Sequence, residues 1–130
     1  MRRGLLKIIF AVPFAVVGIT SQPAMAAFKT GNDLLRECEA GEGPNPNMFQ
    51  LGACAGYILG VADTIAFWSQ VKDGKNCIPA SSQAGQLKDI VVKHLKANPE
   101  VRHFDAQTLT YLAFRNAFNC PLIGVANGQR

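Results

Sequence analysis

The residues of this chain best suited to chemistry are its four cysteines. The chain has 130 residues, and the cysteines lie far apart in it, at Cys38, Cys54, Cys77 and Cys120. A zinc site needs ligands only about two to five residues apart, whereas these cysteines have wide gaps and neither histidine lies beside one. An even number of cysteines in a small exported domain is typical of a disulfide framework, which would also consume a catalytic thiol. We therefore expect disulfides and no metal.

The remaining polar residues form no recognisable catalytic constellation. The sequence lacks a glycine-rich phosphate loop, a dinucleotide-binding fingerprint, a zinc-binding histidine pair and a serine nucleophile motif. A triad of Ser81, His103 and Asp105 has no support from their spacing, and His94, beside lysines, is expected to be exposed. Asp63 is better explained by a hydrogen bond to a neighbouring helix end than by catalysis. The sequence thus favours a protein that is not an enzyme and needs no cofactor.

Residues 1–26 have the layout of a secretory signal peptide. Residues 1–7 carry three basic side chains, an apolar stretch follows to residue 19, and Ala24-Met25-Ala26 is a small-x-small cleavage site. A retained membrane anchor is the weaker interpretation, because the stretch is short for about 30 Å of hydrocarbon. The basic start also resembles a twin-arginine signal, but the strongly apolar stretch favours the general secretion route. Both routes predict a periplasmic protein.

Cleavage would leave one domain, residues 27–130, with almost no net charge. The full chain has 13 basic and 9 acidic side chains, and removal of Arg2, Arg3 and Lys7 leaves a net charge of +1. The basicity of the chain therefore belongs mostly to the signal peptide. The electrostatic case for a nucleic-acid partner is lost with it, and we expect no membrane attachment after cleavage.

Apolar residues in the mature sequence recur at helical spacing and predict four helices without a sheet. The expected cap residues are Thr30 with Asp33, Asn47 with Gln50, Ser81 or Ser82, and Asp105. Breaker residues at 41–46 separate the first two helices, the second runs to about Gln70, and Cys120-Pro121 ends the fourth before a frayed tail from Gly124. Short connections favour a small all-α antiparallel bundle.

An up-down-up-down bundle decides which cysteines can pair. Cys38 near the end of the first helix and Cys54 near the start of the second would lie at one end of the bundle. Cys77, after the second helix, and Cys120, after the fourth, would lie at the other end. The topology predicts disulfides Cys38–Cys54 and Cys77–Cys120, which would stabilise the fold by roughly 3 and 4 kcal/mol.

The second helix is apolar or small on both sides. One side carries Cys54, Ile58, Val61, Ile65 and Trp68. The opposite side carries Gly52, Gly56 and Gly60, here called the glycine stripe, together with Asp63 and Phe67. Each helical glycine costs about 1 kcal/mol relative to alanine, so the stripe implies close approach of another backbone. That backbone could be a neighbouring helix or a second copy of the chain, and the sequence slightly favours the neighbouring helix.

Several motifs follow one another through most of the mature chain: GACAGYILGVAD at 52–63, CIP at 77–79, HLKANPE at 94–100 and AFRNAFNC at 113–120. Together they resemble the Rap/Tai family of periplasmic immunity proteins, which act against amidase effectors of type VI secretion. One departure is Asn119, where proline is expected more often. The resemblance implies an exported helical protein, typically a homodimer, that binds a peptidoglycan-cleaving cysteine amidase and occludes its active site.

Under this resemblance the glycine stripe becomes a dimer seam, and a loop must enter the cleft of the amidase. The first candidate is the segment 70–82, tethered by Cys77 and carrying Lys72, Asp73, Lys75 and Asn76. The second candidate is the loop 41–47. For either loop the alternative is an ordinary solvated connection. The alternative function is that of an exported stress chaperone or an envelope structural protein without an effector partner.

Overall fold

Four α-helices make up most of residues 28–120, the part of the chain that the computed structural model describes. They are α1 (Gly31–Glu39), α2 (Met48–Asp73), α3 (Ala84–Ala97) and α4 (Ala106–Phe118), with a 3₁₀ turn at Pro99–Val101 before α4. Within these residues the only β-type pairing is an isolated bridge between Thr30 and Asp105. The predicted all-α class is confirmed. The predicted signal peptide and the tail from Gly124 lie outside the described residues.

Local caps begin three of the helices where the sequence predicts them. Thr30 Oγ1 accepts a hydrogen bond from the Asp33 N–H at 3.2 Å, and the Asp33 carboxylate accepts from the Thr30 N–H and hydroxyl, which completes a capping box. Asn47 Oδ1 accepts from the Gln50 N–H, and Asp105 Oδ1 accepts from the N–H three residues on, at the start of α4.

Two helix boundaries differ from the prediction. The Ser82 N–H donates to the Pro79 carbonyl at 2.9 Å, so the serines lie in a turn, and α3 begins only after Gln83, which makes no side-chain cap bond. The expected serine cap was therefore wrong. At the other boundary α2 continues to Asp73 instead of ending near Gln70. It ends where Gly74 adopts φ 66°, a left-handed conformation that suits glycine.

The core lies between the four helices and is closed by both predicted disulfides. Cys38–Cys54 joins α1 to α2, and Cys77–Cys120 joins the segment after α2 to the residue that follows α4. The most deeply buried side chains come from all four helices: Leu34, Ile58, Val91, Leu95, Leu109 and Phe114. The pairing predicted from an antiparallel bundle is thus the pairing in the structure.

The segment before α1 is fixed against the start of α4. The Gly31 N–H donates to the Phe104 carbonyl at 3.0 Å, and the Ala106 N–H donates to the Lys29 carbonyl at 2.7 Å. A Cβ at Gly31 would lie 2.5 Å from Leu109 Cδ1 and 3.0 Å from the Arg102 carbonyl oxygen, so a larger residue would require these neighbours to shift. These contacts bring the first residues of α1 and α4 together.

Candidate partner-binding surfaces

The helix α2 has an inner face that builds the core and an outer face that does not. The inner face consists of the buried residues Cys54, Ile58, Ala62, Ile65 and Ser69. The outer face carries Met48, Phe49, the glycine stripe, the exposed Asp63, Phe67 and Val71. Phe49 is 85% exposed, and Phe67 and Val71 are each 61% exposed. Contiguous exposed apolar residues of this kind mark surfaces that bind partners.

The glycine stripe faces open space within the described chain. A Cβ built on Gly52, Gly56 or Gly60 would meet no heavy atom within 4 Å. The favoured expectation of a neighbouring helix against the stripe was therefore wrong for residues 28–120, although Gln107 of α4 borders a depression beside Gly56 and Gly60. Within residues 28–120 no backbone of the same chain covers the stripe, and a second molecule is the other alternative that the sequence left open.

By length and composition, α2 is the one helix among the described residues that could cross a membrane. Its 26 residues include the buried inner face, one residue of which is bonded covalently to α1 through Cys38–Cys54. The core helix of a globular protein passes the same test of apolar length. The apolar character of α2 is thus divided between a protein core and an exposed outer face.

The first predicted loop is shorter than expected and is anchored at its middle. Lys72 and Asp73 belong to the last turn of α2, whereas Lys75 and Asn76 lie in the loop after Gly74. The Asn76 Oδ1 accepts from the N–H two residues on at 3.0 Å. The disulfide at Cys77 and the burial of Ile78, which is 5% exposed, hold the loop to the core. The four candidate side chains remain exposed beside this anchor.

The second predicted loop, 41–47, is also fixed at its ends. The Asn47 N–H donates to the Ala40 carbonyl at 2.7 Å, and the Glu42 N–H donates to the Glu39 carbonyl at 2.9 Å. Lys88 Nζ lies 3.7 Å from the Glu42 carboxylate, which links the loop to α3. The loop is therefore a short connection with its exposed residues between these anchors.

The candidate polar residues do not come together as a catalytic site. His94 is half-buried instead of exposed, and burial lowers its pKa. His103 stacks on Phe104 with ring centroids 4.1 Å apart, and no hydrogen bond joins it to Ser81 or Asp105 within residues 28–120. Asp63 is exposed and forms no hydrogen bond in this part of the chain, so its expected bond to a helix end was wrong.

Charged contacts instead stabilise the scaffold. The Lys29 ammonium pairs with Glu37 and lies 5.0 Å from the centre of the Tyr57 ring. The hydrogen bond to Glu39 raises the pKa of Lys96, an exposed ammonium on α3. In the described residues no three His, Cys, Asp or Glu side chains are grouped closely enough to hold a metal ion.

Sequence analysis missed a cleft between α2 and α4. It is lined by Val61, Thr64, Ile65, Trp68, Gln107, Thr108 and Tyr111 and has a volume of about 200 Å³. The sequence placed Trp68 on the same side of α2 as Cys54 and Ile58, which are buried, but Trp68 is 49% exposed. The two halves of the cleft lie about 40 residues apart in the sequence, so helical periodicity within one segment could not pair them.

Comparison with known proteins identifies one family. The family model described as Rap1a immunity proteins matches residues 30–120, which is more than half of the chain and includes all four helices and all four cysteines. No curated protein and no solved structure matches the chain.

Proposed function

Because the chain belongs to the Rap1a immunity protein family, we propose that it neutralises a peptidoglycan-cleaving cysteine amidase effector of type VI secretion. It does so by binding the effector and occluding its active site. The family match over residues 30–120 carries this proposal. The rigid surfaces around α2 support it, because inhibition by occlusion requires a preformed shape more than reactive groups.

The protein acts in the periplasm under this proposal. Residues 1–26 have the layout of a cleavable secretory signal. The disulfides Cys38–Cys54 and Cys77–Cys120 support export, because such bonds form and persist in oxidising compartments. The family resemblance described above is to periplasmic proteins, where a cell-wall amidase would reach its substrate.

The inhibitory segment is the one that begins in the last turn of α2 and ends at Cys77. It presents Lys72, Asp73, Lys75 and Asn76 in exposed positions. The disulfide and the buried Ile78 fix the base of the segment. A fixed base lowers the conformational entropy lost on binding, so the segment can enter a cleft at little ordering cost.

The outer face of α2 supports a homodimer in which the glycine stripe is the seam. Three glycines at intervals of four residues let two helix backbones approach closely, and Phe49 and Phe67 stand on either side of them. In an antiparallel pair centred at Gly60, each Phe67 would lie over the partner helix near Gly52, where a ring finds space. A two-fold interface of this kind is self-complementary.

Inhibition of a purified amidase tests the function. The probe is a cysteine amidase encoded beside this protein, assayed on purified peptidoglycan with and without the mature chain. We expect inhibition at equimolar concentration and a binding loss of about tenfold or more for the triple variant Lys72→Ala, Asp73→Ala, Lys75→Ala. The matched control, Asp89→Ala with Lys93→Ala on exposed positions of α3, should inhibit like the wild type.

The possible outcomes test the proposed function and the proposed inhibitory segment separately. Unchanged inhibition by the triple variant would exclude the segment but keep the function. Absence of any complex with the amidase would contradict the function itself. Capture of unfolded client proteins on acidification, measured by light scattering, would favour the stress chaperone instead.

The proposed dimer is tested separately, by measuring the molar mass with light scattering after gel filtration. Gly56→Leu places a branched side chain on the seam and should give a monomer with an unchanged helical spectrum, since the site is open within one chain. Gly85→Leu is the matched control, because Gly85 is also helical and faces open space. A dimer that survives Gly56→Leu would contradict the seam.

A further inference from the structure

The cleft between α2 and α4 is built from the same pair of groups on both sides. On α2, Thr64 and Trp68 lie one helical turn apart, and on α4, Gln107 and Tyr111 lie one turn apart. Each helix therefore contributes one aromatic ring and one uncharged polar side chain to the same cavity. Thr108 adds a second hydroxyl on α4.

The chemistry of the lining excludes most ligand classes. None of the seven lining residues is charged, so nothing in the cleft would neutralise a phosphate, a carboxylate or an ammonium group. Its polar side chains would lose hydrogen bonds to water beneath a purely apolar ligand. A suitable ligand must be neutral, offer several hydroxyl or amide groups and present an apolar face to an aromatic ring.

The polar groups are available to such a ligand. The Thr64 hydroxyl donates to the Gly60 carbonyl at 2.8 Å, so its oxygen still has lone pairs with which to accept. The Gln107 side chain is exposed and forms no hydrogen bond with any residue from 28 to 120. Its amide therefore offers two donors and one acceptor to a ligand in the cleft.

The position of Trp68 suits stacking. Its ring is 49% exposed and is held by an edge contact with Phe67, with ring centroids 5.5 Å apart. Gln107 also lines the neighbouring depression, together with Tyr57, Gly56 and Gly60. Because Gly56 and Gly60 belong to the proposed dimer seam, the ligand is assigned to the cleft beside Trp68 and not to this depression.

We propose that the cleft between α2 and α4 binds a neutral glycan chain, with one sugar ring stacked on Trp68 and its hydroxyl or acetamido groups bonded by Gln107, Thr64 and Thr108. The proposal goes beyond inhibition of an amidase and does not depend on it. It adds a second binding function, by which the protein would be held on a polysaccharide.

Trp68 is the only tryptophan of the chain, so its fluorescence reports directly on the cleft. The mature protein is titrated with the trisaccharide of N-acetylglucosamine and, in a second arm, with the trisaccharide of glucose. We expect a saturable change in emission with at least one of them, and a stronger response to the acetylated sugar if the acetamido groups are bound. Gln107→Ala should weaken binding about tenfold, a loss of about 1.4 kcal/mol.

Matched variants keep the test decisive. Gln86→Ala removes an exposed glutamine from α3, outside the cleft, and should bind like the wild type. Trp68→Phe retains a ring and should bind weakly by calorimetry, whereas Trp68→Ala should not bind, with circular dichroism confirming that both are folded. A change in emission that Gln107→Ala leaves intact would overturn the proposal. So would the absence of any saturable response to both sugars, or saturation by an uncharged tripeptide instead, which would make the cleft a peptide-docking surface.

Discussion

The two faces of α2 are both apolar, yet the fold of one chain uses only one of them. On the inner face, Cys54, Ile58 and Ile65 are at most 2% exposed. On the outer face, Phe49 is 85% exposed and the glycine stripe meets no neighbouring atom within 4 Å. A surface helix of a globular protein normally carries polar residues opposite its core. The folding of a single chain therefore does not explain the apolar residues of the outer face.

The comparison teaches that apolar character and burial are separate properties of this helix. The inner face gains its stability from contacts with α1, α3 and α4. The outer face gives up stability instead, since its glycines lower the helix propensity of α2. The proposed dimer would compensate for this cost, because it would cover the glycine stripe with a second helix.

The largest expected effect comes from the covalent links that hold α2 in place. Loss of the Cys77–Cys120 link, by Cys77→Ala with Cys120→Ala, should lower the free energy of unfolding by about 4 kcal/mol, since it closes a separation of 43 residues. Loss of Cys38–Cys54, with a separation of 16, should cost about 3 kcal/mol. Urea unfolding followed by circular dichroism measures both. Equal stability with and without the links would show that the inner face alone holds α2.

Truncating one side chain on each face of α2 compares directly how much the two faces contribute to stability. Ile58→Ala removes a side chain that is 1% exposed and should cost about 2–5 kcal/mol through lost burial and a cavity. Phe67→Ala removes a larger side chain that is 61% exposed and should change the stability of dilute protein by less than about 0.5 kcal/mol. The same urea experiment compares them. A larger loss for Phe67→Ala would mean that the outer face belongs to the fold.

Alanine in the glycine stripe should stabilise a single chain, whereas most substitutions lower the free energy of unfolding. Gly56→Ala adds a Cβ in open space and improves helix propensity, so the stability of a single chain should rise by about 0.5–1 kcal/mol. The same Cβ would hold two α2 helices apart and weaken self-association. Unfolding of dilute protein measures the first effect, and sedimentation equilibrium measures the second. A loss of stability in dilute protein would mean that a contact within the chain covers the stripe.

Local signals explain why so much of the fold could be predicted from the sequence. The caps at Thr30, Asn47 and Asp105 each depend on a side chain and a backbone N–H three residues away, which the sequence displays directly. The disulfide pairing followed because an antiparallel order of four helices leaves one arrangement that fits. The cap predicted at Ser81 or Ser82 was wrong because the Ser82 N–H bonds to the Pro79 carbonyl and closes a turn there. A residue held in this turn does not begin the helix.

The surfaces of α2 were harder to predict, because each depends on where distant segments pack. Periodicity shows that α2 has two apolar sides but does not show which side receives α3 and α4. The cleft requires Trp68 on α2 and Gln107 on α4 to meet, and neither residue carries a local signal of the other. Candidate loops were found by composition, but the end of α2 at Gly74 moved Lys72 into a helix.

The smallest expected effect is acid-dependent and belongs to neither face of α2. The hydrogen bond from the Thr30 hydroxyl, followed by that from Arg36, lowers the pKa of Asp33 from 3.8 to about 2. Because the pKa is lower in the folded chain, Asp33 contributes its stability above pH 3.8 and loses it as the pH falls toward 2. The carboxylate is exposed to solvent, so this contribution should be smaller than the effect of any buried substitution.

Comparison with Asp33→Asn isolates that contribution from the other carboxylates, which also titrate in acid. The thermal midpoints of the two proteins should differ most above pH 3.8 and converge toward pH 2. Since Ile58 does not ionise, Ile58→Ala should show the same pH dependence as the wild type. A difference between Asp33→Asn and the wild type that stays constant to pH 2 would mean that the capping box at Thr30 does not depend on the charge of Asp33. In that case the acid sensitivity of the protein would have to arise from other carboxylates.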